Sequence, residues 1–284
     1  MSPKKLLVLV TIIVLATACK KKEVETDNLY KFRDYISYTT SGLTSVADPI
    51  IVNLTKDVEG WETDKDVSAD ILKIEPYVQG KLKANNKHAL IFIPDEPLQP
   101  DTEYTVTVQL SDIYKNIPKE FNSYTFQFKT ITPNFNLVTT NLQSYSKEWQ
   151  YLEGVIKSAD VISLDKAKQL VEAFQDKKKL AIVFNEGNKN SKAFEFKIDS
   201  INRKIEDDEI LVKWDGSSIK SDTKGENKVS IPGISNFSII NVSVVQIPEQ
   251  YLSINFSDPL KKQQNFDGLV TLQKVKNPKY IVDG

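Results

Sequence analysis

The sequence predicts an all-β protein, a tandem of β-sandwiches with one helix in the second domain. Three observations carry this. Apolar and polar residues alternate with period two along several short runs, so that each run presents one buried and one solvated face. Turn signals separate the runs: Pro94-Asp95-Glu96-Pro97, Gln99-Pro100-Asp101, Asn185-Glu186-Gly187-Asn188, Asp215-Gly216 and Pro232-Gly233. Short strands with frequent turns suit sandwiches, and only one stretch has the period of a helix.

In chain order, residues 1–18 read as a signal peptide that leaves the mature chain. Lys4 and Lys5 form a positive start, residues 6–15 an apolar stretch, and small residues precede Cys19, the only cysteine. The stretch falls short of the roughly 20 apolar residues that span a bilayer. The run Leu15-Ala16-Thr17-Ala18-Cys19 reads as a lipid attachment site, with Ala16 where leucine is commoner. In bacterial lipoproteins a cysteine so placed becomes the acylated first residue, so Cys19 is the expected lipidation site. Disulfides, thiol catalysis and cysteine metal sites are then excluded, and stability must come from burial.

Residues 19–28 are charged and lack apolar period, as in a tether, with order expected to begin near Leu29. The first domain is expected at 29–132. Within it, Tyr104, Val106, Val108 and Leu110 alternate with Thr105, Thr107 and Gln109, and Tyr124, Phe126 and Phe128 with Thr125, Gln127 and Lys129. Pro133 marks a linker, and the second domain is expected at 133–233. Its strands are expected at 194–198 and 210–214, and the unbroken apolar run 180–184 suits a strand covered on both faces. Its helix is expected at 164–175, capped by Ser163, with Ala167, Leu170, Val171 and Phe174 on one face and Lys177, Lys178 and Lys179 at its C-terminal end.

Residues 234–284 read as the start of a third domain. Tyr35-Ile36-Ser37-Tyr38, followed by Ala47-Asp48-Pro49-Ile50, is echoed by 252–256 followed by Ser257-Asp258-Pro259-Leu260. A sandwich of about 100 residues would then need roughly 50 more after Gly284. The expectation is a truncated gene product or a fragment of a longer protein.

Composition narrows function. The whole chain has net charge −1, and the body after residue 18 has 35 basic against 38 acidic residues. Arg33 and Arg203 are the only arginines, so the planar donor suited to phosphates and bases is nearly absent and nucleic acid is disfavoured as a partner. His88 is the only histidine, in a polar turn, which removes histidine metal clusters and leaves one candidate base for any triad. Glu206-Asp207-Asp208-Glu209 and the group Asp64, Asp66 and Asp70 lack calcium-loop spacing and read as solvated turns. No phosphate loop, cofactor site or catalytic site is predicted, and the chain reads as a non-enzyme. Trp214 is expected in a core, whereas Trp149 and Tyr151 are the candidates for an inter-domain contact. Four sequons, at Asn53, Asn236, Asn241 and Asn255, are coincidences of composition in a bacterial lipoprotein.

The stretch Pro97-Leu98-Gln99-Pro100-Asp101-Thr102-Glu103-Tyr104-Thr105-Val106, with Ile74-Glu75-Pro76, Leu90-Ile91-Phe92-Ile93-Pro94 and the closing Phe126-Gln127-Phe128-Lys129-Thr130, is similar to S-layer-type bacterial Ig-like domains. Over the mature chain, residues 142–154 and 250–260 resemble the N-terminal region of alpha-2-macroglobulin lipoproteins of Bacteroidetes type. That resemblance implies Ig-like and macroglobulin-like sandwiches in a membrane-anchored protease trap, with a bait region and often a Cys-x-Glu-Gln thioester. This chain has neither the thioester motif nor an assignable bait segment, so the resemblance implies the anchoring and scaffold portion. Its partners would be the membrane, through the lipid, and target proteases, through downstream domains. The expected location is the cell envelope, on the periplasmic face of the outer membrane. The alternative is a free-standing Ig-like surface lipoprotein that binds a glycan or a protein.

Overall fold

The computed structural model describes residues 26–187 and 189–271. They form two compact units, one built on residues up to Pro133 together with Ala159–Val161, the other on Asn134–Ser158 and the residues from Ile162 onward. Strands supply nearly all of the regular secondary structure in both, as the alternating sequence requires.

In the first unit one sheet holds, in spatial order, β1 (Ile36–Thr39), β3 (Ile50–Leu54), β7 (Ala89–Pro94), β6 (Gly80–Asn86) and β4 (Lys65–Asp66). The other holds β2 (Gly42–Thr44), β9 (Ser123–Thr130), β8 (Glu103–Gln109) and β5 (Leu72–Glu75). Pairing is antiparallel except between β2 and β9. The register Tyr104↔Phe128, Val106↔Phe126 and Val108↔Tyr124 sets all six side chains on the inner face, and all six are buried. The opposite face carries hydroxyl and amide pairs, Thr107 with Thr125 and Gln127 with Thr105. Tyr104 turns its hydroxyl back to accept from the Gln99 amide at 2.9 Å, a bond from strand start to preceding loop that recurs in sandwich corners. Order begins earlier than Leu29: the Asp27 amide donates to the Thr125 carbonyl, and the Thr125 amide donates to the Asp27 carboxylate. Ala159–Val161 belongs to this unit because the buried Asp160 carboxylate accepts from Ser45 Oγ at 2.5 Å and from the Val46 amide at 2.7 Å.

In the second unit one sheet runs β10 (Phe135–Ser144), β11 (Trp149–Ser163), β15 (Asn190–Asn202) and β14 (Ile182–Phe184). The second runs β13 (Lys178–Lys179), β12 (Val171–Gln175), β16 (Asp208–Asp215) and β17 (Lys224–Ile231). Leu152, Ile156, Phe194, Phe196 and Ile198 from the first meet Val171, Ala173, Ile210 and Val212 from the second in one buried core. Gly154 faces that core beneath Phe196, its partner on β15; a Cβ there would strike the phenyl ring. A separate hairpin, β18 (Ile239–Val245) with β19 (Tyr251–Phe256), completes the unit.

Two expectations fail here. The helix α1 covers only Leu164–Lys168, and the rest of the expected helix is β12. Ser163 does cap α1, its Oγ accepting from the Lys166 amide. The helical spacing of Ala167, Leu170, Val171 and Phe174 coincides with a period-two run from Val171 to Gln175. Pairing that run with β16, Ala173 opposite Val212, buries Val171, Ala173 and Gln175, so the sheet prevails over local helical period. Likewise 180–184 is not a covered strand: β14 is a three-residue sheet edge with Val183 54% exposed. Trp214 faces inward opposite Val171, packed on the core though not fully buried, with its ring over Gly225.

Candidate interaction surface

Trp149 and Tyr151 open β11 on its outer face, on either side of the buried Gln150. Their surroundings differ. Tyr151 stacks on Tyr145, centroids 5.0 Å apart at 16°, and donates from its hydroxyl to Gln143 Oε1 at 2.7 Å. Lys197, from β15, sets its ammonium 5.2 Å from the Tyr151 ring and 5.9 Å from the Tyr145 ring, and pairs with Asp199 at 3.2 Å. The Tyr145 hydroxyl donates to the same Asp199 carboxylate. That bond foremost, over the opposing effect of burial, holds Asp199 below the usual carboxylate range. Burial, and then Asp199, push the Tyr145 phenol up, while the bond to Asp199 raises Lys197. These side chains form a self-satisfied ledge of stacked rings and an ion pair. Its exposed face can bind and orient a partner.

Trp149 pairs with Asn202 and lines a groove of about 350 Å³ at one end of the sandwich. Leu180 and Ala181 line it too, with Gln175, Asp176, Lys178, Lys179, Ser200, Asn202 and Lys204 as its polar groups. Lys204 is held by Asp176 and Asp208, and Lys179 by Glu172. A second, shallower depression of about 500 Å³ lies over β11, β14 and β15, where Glu153, Glu195 and Lys197 surround Val155 and Val183.

Behind the groove lies the buried polar centre of the unit. Arg203 is fully buried and donates from Nε to the Pro232 carbonyl (2.9 Å) and from Nη2 to the Gly233 carbonyl (2.8 Å). Its Nη1 donates to the carbonyls of Lys147 (3.0 Å) and Ser257 (2.8 Å) and to Asp258 (3.0 Å). The Ser257 carbonyl also accepts from Ser144 Oγ and Gln150 Nε2. Partial burial opposes ionisation of Asp258, but hydrogen bonds from Arg203 and Ser257 outweigh it and keep its pKa below the ordinary value. A guanidinium rather than an ammonium is needed here, because five acceptors converge on one plane of donors. Neither Arg203 nor Gln150 was singled out from sequence. The one usable signal was an arginine in a chain whose other cations are almost all lysines.

The remaining candidates resolve simply. Cys19 lies outside the described residues. His88 sits exposed in its turn, 3.2 Å from Asp57. Asp207 accepts from the Gly233 amide and Asn236, and Asp208 from Gln175 and Lys204, so half of the acidic run ties strand ends together. Asp64 pairs with Lys83. Among the described residues no group of three or more histidine, cysteine or carboxylate side chains is placed to hold a metal ion. No described helix is long and apolar enough to cross a membrane.

Comparison with known proteins gives a local result. No curated protein sequence matches the chain. Among solved structures, L,D-transpeptidase 3 from Mycobacterium tuberculosis aligns at 14% identity and TM-score 0.25, over 43% of this chain and 46% of the transpeptidase, so the chain spans less than half of that protein. The ectodomain of mouse nectin-like molecule 4 aligns at 10% identity and TM-score 0.29, over 68% of this chain and 66% of the ectodomain. Bovine butyrophilin aligns at 8% identity and TM-score 0.28, over 69% of this chain and 96% of its own. At these scores the likenesses say nothing of chemistry. The family match is of another kind: residues 36–130, which span β1 to β9, match the bacterial Ig-like domain family, with both sheets of the first unit inside the match. Residues 36–130 of this chain are a bacterial Ig-like domain.

Proposed function

We propose that this chain is the lipid-anchored scaffold arm of an alpha-2-macroglobulin-like protease inhibitor, held at the periplasmic face of the outer membrane by acyl chains on Cys19. Its part in inhibition is positional: the Ig-like domain and the second sandwich act as spacers that carry trapping domains away from the membrane. The observation that carries this reading is the β18–β19 hairpin. Among the described residues this sheet is two strands wide; Val242, Val244 and Leu252 are exposed on one of its faces, and Ile239 and Phe237 are exposed beside them. A two-stranded hairpin with an uncovered apolar face is the kind of surface that another domain covers. Support also comes from the signal-type residues before Cys19 and from ionisable side chains engaged in structural pairs.

The test is capture. Membranes from cells carrying the intact gene are mixed with a broad-specificity protease, and sedimentation and residual activity on a protein substrate are followed. The reading expects protease to sediment with the membranes and lose activity on the large substrate. A protease that stays soluble and fully active would refute it. A second reading, a free-standing binding module, is favoured by one observation, the concave groove beside Trp149.

A further inference from the structure

We propose that the groove lined by Trp149 binds an acidic polysaccharide, one uronate ring lying on the indole and its carboxylate held by Lys178. Four features of the groove point to this ligand. Its volume, about 350 Å³, is at the small end of the range of roughly 300–1,000 Å³ typical of small-molecule sites, and suits a short run of sugar rings better than a protein segment. Trp149 stands on the outer face of β11 and is 43% exposed. An accessible indole offers a flat apolar plate of the kind that stacks on the C–H face of a pyranose. Around it stand short hydrogen-bonding groups, Ser200, Asn202 and Asp176, matched to sugar hydroxyls.

The charge decides between an acidic and a neutral glycan. Lys204 is neutralised by Asp176 and Asp208, and Lys179 by Glu172. Lys178 lines the groove without an ion pair to another described residue, and Lys177 is exposed next to it in the β12–β13 turn. The cations at the groove that no described carboxylate pairs with are therefore Lys178 and its neighbour Lys177, side by side at the β12–β13 turn, and it is these two, rather than a net positive charge, that favour an anionic ring. The backbone around the groove is also shaped by positive φ at residues other than glycine: Asp176 at 49° and Lys177 at 65° form the turn, and Ser200 at 58° lies in the bulge where β15 passes β11. Positive φ at both central residues is what a two-residue hairpin loop requires, and it sets Lys177 and Lys178 at the rim of the groove.

The experiment uses the full chain in detergent, titrated with short galacturonate oligomers and, separately, with their methyl esters, which keep the rings and remove the charge. Binding is followed by calorimetry and tryptophan fluorescence. The acid should bind saturably and more weakly as salt rises, and the ester should bind several-fold more weakly. Trp149→Ala should lower affinity about tenfold, the scale of one lost stacking contact, and Trp149→Phe should restore part of it. Lys178→Gln should weaken binding of the acid about threefold and leave that of the ester unchanged. Circular dichroism confirms that each variant is folded. No binding at millimolar sugar, equal binding of acid and ester, or full affinity in Trp149→Ala would each overturn the proposal. The result is independent of protease capture, so either reading can fail alone.

Discussion

Replacing Arg203 by alanine should be the most damaging single change in the second unit. The guanidinium makes five hydrogen bonds, four to carbonyls and one to the Asp258 carboxylate. Without it the carbonyls of Pro232, Gly233 and Lys147 lose that donor. The Ser257 carbonyl keeps Ser144 and Gln150, while Asp258 keeps only the bond from Ser257. Breaking a buried charge pair while leaving its partner costs about 3–5 kcal/mol. With an m-value of about 2 kcal/mol/M in urea, the midpoint of the second unit should fall by about 2 M. Arg203→Lys keeps the charge but not the plane of donors, and should cost about 2 kcal/mol. Urea titration read by fluorescence and circular dichroism gives the midpoint, and amide exchange locates the loss. Core amides of residues 135–231 should exchange faster while those of 36–130 hold. A midpoint shift under about 0.5 M, or equal loss in both cores, would refute the assignment of Arg203 as the unit's polar centre.

Other outcomes follow from the same structure. Gly154→Ala should destabilise the second unit by about 1–3 kcal/mol, because the new Cβ meets the Phe196 ring in a filled core; an unchanged thermal midpoint would contradict this. Acid should weaken the fold in a defined window. The Asp199, Asp207, Asp215 and Asp258 carboxyls all have folded-state pKa values below the ordinary 3.8, and for Asp215, bonded by Ser217 and Lys224, the value is about 2. Their contribution is complete above the unfolded value and is lost as pH falls through the folded ones, so thermal midpoints should be level from pH 7 to about 4.5 and drop between about 4 and 2. Midpoints that rise below pH 4 would contradict the sign. On the proposed anchoring through Cys19, Cys19→Ala should move the protein from the membrane to the soluble fraction with its melting curve unchanged; a variant that stays with the membranes would contradict that proposal.

How far the sequence could be read depended on whether the deciding force was local. Alternation at 104–110 and 124–128 is a local signal, and all of those residues but Leu110, which is buried in the turn after β8, lie in the paired strands β8 and β9 with the predicted faces. The runs at 194–198 and 210–214 likewise lie within β15 and β16. Residues 171–175 satisfied helix and strand periods at once, and the choice was made by β16, some 35 residues further on, which no local window contains. The site was less legible. Trp149 and Tyr151 stood out as aromatics, but their separate roles depend on Tyr145, Lys197 and Lys178, which the β10–β11 turn, β15 and β13 bring alongside. Arg203 has no motif around it: its acceptors come from residues 147, 232, 233, 257 and 258 and exist as a set only after folding.

The anchored scaffold is tested most directly by the intact mass of the mature chain extracted from membranes. The account predicts a polypeptide that begins at Cys19 and carries the added mass of its acyl groups. A mature chain that begins elsewhere, or begins at Cys19 with a bare thiol, would contradict it.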